Sequence, residues 1–173
     1  MQPAEVLDVD AHEAHGISWS ERDELEVLTF ELSGEVLAIE AIRVFEILDV
    51  LVDTIVPGAQ PLVDRIVNFR GKIIPVADLR LAFGMERTER TVDSRIVVIE
   101  LVLDGEVTML GLWADRVLEV TTFARSECEE PPMVGMRWKR EYVRCLARRP
   151  TGVTIVPDLK TIFESVLLDK TLN

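Results

Sequence analysis

The sequence predicts a mainly β protein built as two small barrels of about five short strands each, with short helices and a closing helix near the C-terminal end. Three observations predict it. Apolar segments alternate with polar residues and meet at two-residue turns, Ser33-Gly34, Arg70-Gly71 and Asp104-Gly105. Asp-Leu-x-x-x-Phe occurs at residues 78–83 and again at 158–163, each copy following an apolar strand and a proline. Strands this short bury a core by closing on themselves.

The elements follow in chain order. Residues 1–24 hold Glu5, Asp8, Asp10, Glu13, Glu21, Asp23 and Glu24 against Arg22 alone and read as a solvated, flexible tail. Leu28, Phe30 and Leu32 share one strand face; Leu37 and Ile39 face them across Ser33-Gly34. In residues 41–48, AIRVFEIL, the spacing of Ile42, Phe45 and Leu48 predicts a short helix, and Pro57-Gly58 and Pro61 then predict an irregular connector. Residues 63–69 and 72–78 form a second hairpin, where Gly71 supplies the positive φ of the turn. Asp78 caps a helix that Gly84 ends after Phe83. Residues 96–103 and 106–113 flank Asp104-Gly105 as a third hairpin, and 115–123 continue as a strand. Residues 124–140 lack a period and read as a long surface connection. Residues 142–147 and 152–158 pair around Arg149-Pro150-Thr151, and Leu159–Leu167 has the spacing of a closing helix.

Composition removes several functions. With 31 acidic and 19 basic residues among 173, the formal net charge is −12, which repels nucleic-acid phosphates. No run approaches the ~18–20 apolar residues that span a bilayer, and the start has no signal-like core, so a cytoplasmic location without membrane insertion is expected. Cys128 and Cys145 are not spaced as a redox motif and are expected as thiols, Cys145 as a small core residue. Both histidines, His12 and His15, lie in the tail, where their spacing beside acids fits weak metal binding or simply a disordered segment. The rest of the chain therefore has no histidine for general-base, metal or phosphorelay work. No serine sits in a GxSxG elbow, and the nine glycines form no phosphate loop. The expectation is a protein that is not an enzyme and has no cofactor, with one catalytic alternative open: a carboxylate pair assembled in space.

The segments 27–48, 66–84 and 95–123 resemble the CheW family of chemotaxis coupling proteins, and the similarity covers about residues 25–168. NFRGKIIPVADLR at 68–80 matches seven fixed positions of the family pattern NLRG-x-x-x-P-x-x-DLR. The resemblance implies two side-by-side five-stranded SH3-like barrels. It sets two intertwined barrel subdomains within 25–168, about 25–90 with the C-terminal helix region and 91–158, with 169–173 as a tail. It implies a non-catalytic adaptor that binds the cytoplasmic tip of methyl-accepting chemotaxis receptors and the regulatory domain of the histidine kinase CheA. Receptor binding is expected at Val44, Glu46, Asn68 and Arg70, where a helical tip needs an apolar slot and an orienting fork. Each also has a plainer role: turn residue for Arg70, solvated helix residue or ion-pair partner of Arg70 for Glu46, turn-backbone partner for Asn68, core for Val44. The kinase-binding residues are not assigned. Two positions depart from the family pattern, Arg65 and Cys145 standing in place of glycine. The alternative reading is a CheW-like interaction module serving a different, non-motility or specialised, signalling kinase.

Overall fold

The computed structural model describes residues 17–50 and 53–171. Its strands, in chain order, are β1 (Glu24–Leu32), β2 (Glu35–Glu40), β3 (Val44–Asp49), β4 (Thr54–Ile55), β5 (Arg65–Phe69) and β6 (Lys72–Ala77). A one-turn helix α1 (Arg80–Phe83) precedes β7 (Arg95–Leu103), β8 (Glu106–Ala114), β9 (Arg116–Ala124), β10 (Cys128–Glu129), β11 (Val143–Arg149) and β12 (Gly152–Pro157); α2 (Leu159–Thr171) follows. The three expected turns are present, and at each both central residues have positive φ: Ser33 and Gly34, Arg70 and Gly71, Asp104 and Gly105. Two left-handed residues match the twist of the flanking strands. Gly71 is therefore only half of its turn; Arg70 shares the left-handed conformation at φ 50°.

The strands form two curled six-stranded sheets, ordered β10-β11-β12-β2-β1-β9 and β4-β5-β6-β8-β7-β3. Each has the expected five strands plus a two-residue edge strand, β10 or β4. The repeat seen in the sequence is structural. Asp78 N–H donates to the Leu62 carbonyl and Asp158 N–H to the Tyr142 carbonyl, each acceptor lying in a 3₁₀ turn that precedes the hairpin. Parallel pairing recurs as well, Val76 with Gly111 and Thr154 with Val36. The two acids differ in one respect. Asp158 Oδ1 accepts the Thr161 N–H at 3.0 Å as a true cap of α2, whereas Asp78 Oδ1 accepts the Arg80 N–H at 3.1 Å and also holds its guanidinium. The pairing crosses the division at residue 90. The first sheet takes β1 and β2 from the first repeat and β9–β12 from the second; the second sheet takes β7 and β8 with β3–β6.

The core reflects this exchange. Phe30, Leu32 and Leu37 of the first sheet and Val97, Ile99, Leu101 and Leu112 of the second bury together with Phe83, Ile162 and Phe163 in one cluster between the sheets. Each sheet also encloses a smaller cluster, Val27, Ala38, Phe123 and Cys145 in one, Val67, Phe69, Ile96 and Val98 in the other. Ile17 and Trp19, assigned to the tail by sequence, pack against the first of these. The expectations for residues 1–16, including His12 and His15, lie outside the described residues.

Two local expectations are corrected. Residues 41–48 are not a helix: Ala41–Arg43 make a 3₁₀ turn and β3 follows, paired with β7. Ile42 is 74% exposed and Phe45 48%, so they form no buried helical stripe. The β-branched residues of this segment favour the strand, and a register shift between Val44 and Glu46 disguised its alternation. Residues 124–140 are not wholly irregular, since Cys128-Glu129 adds an edge strand to β11.

Candidate functional site

Arg70 stands at the β5–β6 turn with a side chain 65% exposed, above an aromatic pair that neither residue's strand explains alone. Phe45 of β3 and Phe69 of β5 meet edge to face, centroids 5.8 Å apart and planes at 85°. The Arg70 guanidinium carbon lies 5.5 Å from the Phe45 ring centroid and 5.1 Å from that of Phe69. Its Nη2 is 3.3 Å from Glu46 Oε2. Glu46 is opposite Val98 in the β3–β7 pairing and is half-buried. Asn68 Oδ1 accepts the Gly71 N–H at 3.0 Å and fixes the turn. An ion pair this exposed contributes about 0–1 kcal/mol and each cation–π contact about 0.5–1 kcal/mol. The rings, as much as the carboxylate, hold the guanidinium in place, and most of its donor fork faces solvent.

Of the four expected residues, the structure brings Glu46, Asn68 and Arg70 together. Val44 is half-buried and packs against the cluster between the sheets. Exposed apolar side chains sit on the same strands: Ile42 in the turn before β3, Phe45 and Ile47 on β3, and Ile73 on β6 directly opposite Asn68. Sequence reasoning missed the aromatic shelf because Phe45 was placed on a helix; the pairing of β3 with β7 decides where it points. Phe69 was visible inside the NFRG segment, but its contact with Phe45 exists only once β3 curls over β5.

A second polar cluster lies around Arg65, whose Nη1 is 2.6 Å from Asp53 Oδ2. Arg80 is buried: its Nε and Nη2 donate to Asp78 at 2.8 Å, its Nη1 to Thr88 Oγ1 at 2.7 Å, and its carbon Cζ lies 5.6 Å from the Trp113 ring centroid. Elsewhere Glu40 is pushed above the usual carboxylate range by burial, which the nearby Arg144 only partly offsets. Cys128 and Cys145 are free thiols, and burial raises the pKa of both. Cys145 is the buried core residue expected. Among the described residues no group of three or more His, Cys, Asp or Glu is arranged to hold a metal ion, and no helix is long and apolar enough to cross a membrane.

The CheW-like domain model matches residues 26–167. The chemotaxis protein CheW of Treponema pallidum is 28% identical over 87% of this chain and 89% of its own length. That of Bacillus subtilis is 33% identical over 61% of this chain and 65% of its own. Among solved structures, the scaffolding protein CheW from Thermoanaerobacter tengcongensis is similar over 81% of this chain and 92% of its own, with 30% identity and a TM-score of 0.70. Two curled sheets, a duplicated hairpin-and-helix unit and a model match spanning most of the chain agree: this chain belongs to the CheW-like domain family.

Proposed function

We propose that the chain couples a chemotaxis receptor to a CheA-type histidine kinase and that Arg70, on its shelf of Phe45 and Phe69, anchors the helical receptor tip. The chain is a non-catalytic adaptor of chemotaxis signalling, as its family membership and its CheW relatives establish. One observation carries the finer reading. Arg70 occupies a left-handed turn position, φ 50°, where glycine or asparagine is less costly by about 1 kcal/mol. A bulky cation held at that cost over two rings, with most of its side chain exposed, fits a binding role. Ile42, Phe45, Ile47 and Ile73 supply exposed apolar surface for the buried face of an amphipathic helix, and Arg70 with Asn68 supplies its polar orientation. Val44, half-buried against the core between the sheets, and Glu46, beside Arg70, complete the site.

Arg70→Asn separates function from fold. Asparagine suits the left-handed turn, so the variant keeps its stability, while affinity for a receptor-tip fragment falls by about 1–3 kcal/mol in a calorimetric titration. Binding of the CheA regulatory domain, measured in parallel, stays within twofold. Unchanged receptor affinity in a folded Arg70→Asn protein would overturn the site.

A further inference from the structure

A cavity of about 170 Å³ opens beside the second sheet, distinct from the Arg70 site. Arg65, Arg80, Arg87 and Arg90 line it together with Asp53, Asp64 and Asp78. Four guanidinium groups face three lining carboxylates, and a fourth carboxylate, Asp115, stands behind Arg80 at 3.5 Å, so what sets the cavity apart is how its arginines are paired and not a net charge. The strong bonds are already taken. Asp53 is held by Arg65 at 2.6 Å and Asp78 by Arg80 at 2.8 Å.

Arg87 and Arg90 are left with weaker partners. Arg87 lies 3.8 Å from Asp64 Oδ2 and 3.7 Å from Asp78 Oδ2, and Arg90 lies 3.8 Å from Asp53 Oδ1. These are electrostatic contacts beyond hydrogen-bond length, and among the described residues neither guanidinium donates a hydrogen bond. Both are nearly half exposed on the segment between α1 and β7. Arg65, which stands where the family pattern has glycine, contributes by occupying Asp53; without it that carboxylate is free to close on Arg90.

The geometry points to an anion-binding site for a small phosphate-bearing ligand. Two guanidinium forks facing one cavity call for three or more oxygen acceptors, which a phosphoryl group offers and a single carboxylate does not. The volume holds several water molecules, enough for a phosphoryl group and a short carbon body. Arg80, paired with Asp78 and fixed over Trp113, closes the floor of the site, and Val76 gives it an apolar wall. Binding there breaks no hydrogen bond of the protein.

The test is a titration of the full chain with inorganic phosphate at constant ionic strength, read by calorimetry and by the arginine Nε–H NMR signals. Saturable one-to-one binding is expected, with the Arg87 and Arg90 signals shifting. The double variant Arg87→Gln/Arg90→Gln loses affinity by about tenfold or more, and Arg65→Gly loses part of it, while Arg116→Gln, on β9, leaves it unchanged. Glycerol 3-phosphate serves as the second arm. Tighter binding than phosphate assigns the carbon body to the Val76 wall, and equal binding assigns the site to the free ion. Absence of saturation by both probes, or equal affinity in the double variant, would overturn the proposal.

Discussion

Asp115 follows β8 and collects four groups from three parts of the chain. Its Oδ2 accepts the Ser33 N–H at 2.7 Å, its Oδ1 accepts the Thr88 hydroxyl at 2.7 Å and the Trp113 indole N–H at 3.1 Å, and Arg80 Nη1 is 3.5 Å away. Burial works against its charge, yet these donors and the arginine together hold the carboxyl below its ordinary value of 3.8. A carboxyl whose pKa is lowered by folding stabilises the fold fully above its unfolded pKa, and that contribution fades as pH falls through the folded value. Asp115→Asn should therefore cost about 1–3 kcal/mol at neutral pH in urea unfolding. The difference from the parent chain should shrink as pH drops below about 3.8. A gap that stayed constant from pH 7 to pH 3 would contradict this account. At this scale the sequence was informative where a motif fixed residue types: Arg70, Asn68 and Asp78 were all legible in NFRGKIIPVADLR. Asp115 was not, because its partners come from positions up to 82 residues away.

Among the elements, β8 shows how closely the barrel interior is packed. Gly111 lies opposite Val98, and a Cβ placed on it would come within 2.6 Å of Ile96 Cγ2 and 3.4 Å of Val76 Cγ2. Ile96 is buried in the interior cluster and has little room to move. Gly111→Ala should lower stability by about 1–3 kcal/mol and the melting midpoint by several degrees, without changing the secondary structure seen by circular dichroism. A midpoint equal to that of the parent chain would mean that Ile96 repacks freely. The hairpins were read correctly because their signals are local: two turn residues and alternating flanks. β3 was misread for the opposite reason. Eight residues with apolar positions three apart satisfy a helical template as well as a bulged strand, and only pairing with β7 decides between them.

At the scale of the whole molecule, the exchange of strands between the repeats follows from link length. In the first sheet β9 lies beside β1 and runs parallel to β2; for β3 to take that place, the chain leaving β2 would have to cross back over β1. A parallel crossover needs a dozen or more residues. The link from β2 to β3 is Ala41–Arg43, and that from β8 to β9 is Asp115 alone. The chain therefore runs on into the other sheet, in both repeats. Neither half can complete a barrel by itself. Chains 17–90 and 91–171, expressed separately, should each give poorly dispersed amide spectra and recover the native dispersion on mixing. A well-dispersed monomeric spectrum from either half alone would refute the exchange as a requirement of the fold.

The sequence by itself determined the mainly β class, the three left-handed turns, the duplicated Asp-Leu-x-x-x-Phe unit, the family resemblance and the absence of histidine outside residues 1–15. These rest on local chemistry, since turn conformation, apolar alternation and residue type need no distant partner. Tertiary structure decided the exchange of strands, the strand at 44–49, the Phe45–Phe69 shelf beneath Arg70 and the meeting of four arginines at one cavity. Each depends on which segments a curled sheet brings side by side, and that is set by strand pairing and link length over tens of residues rather than by the pattern within any one of them.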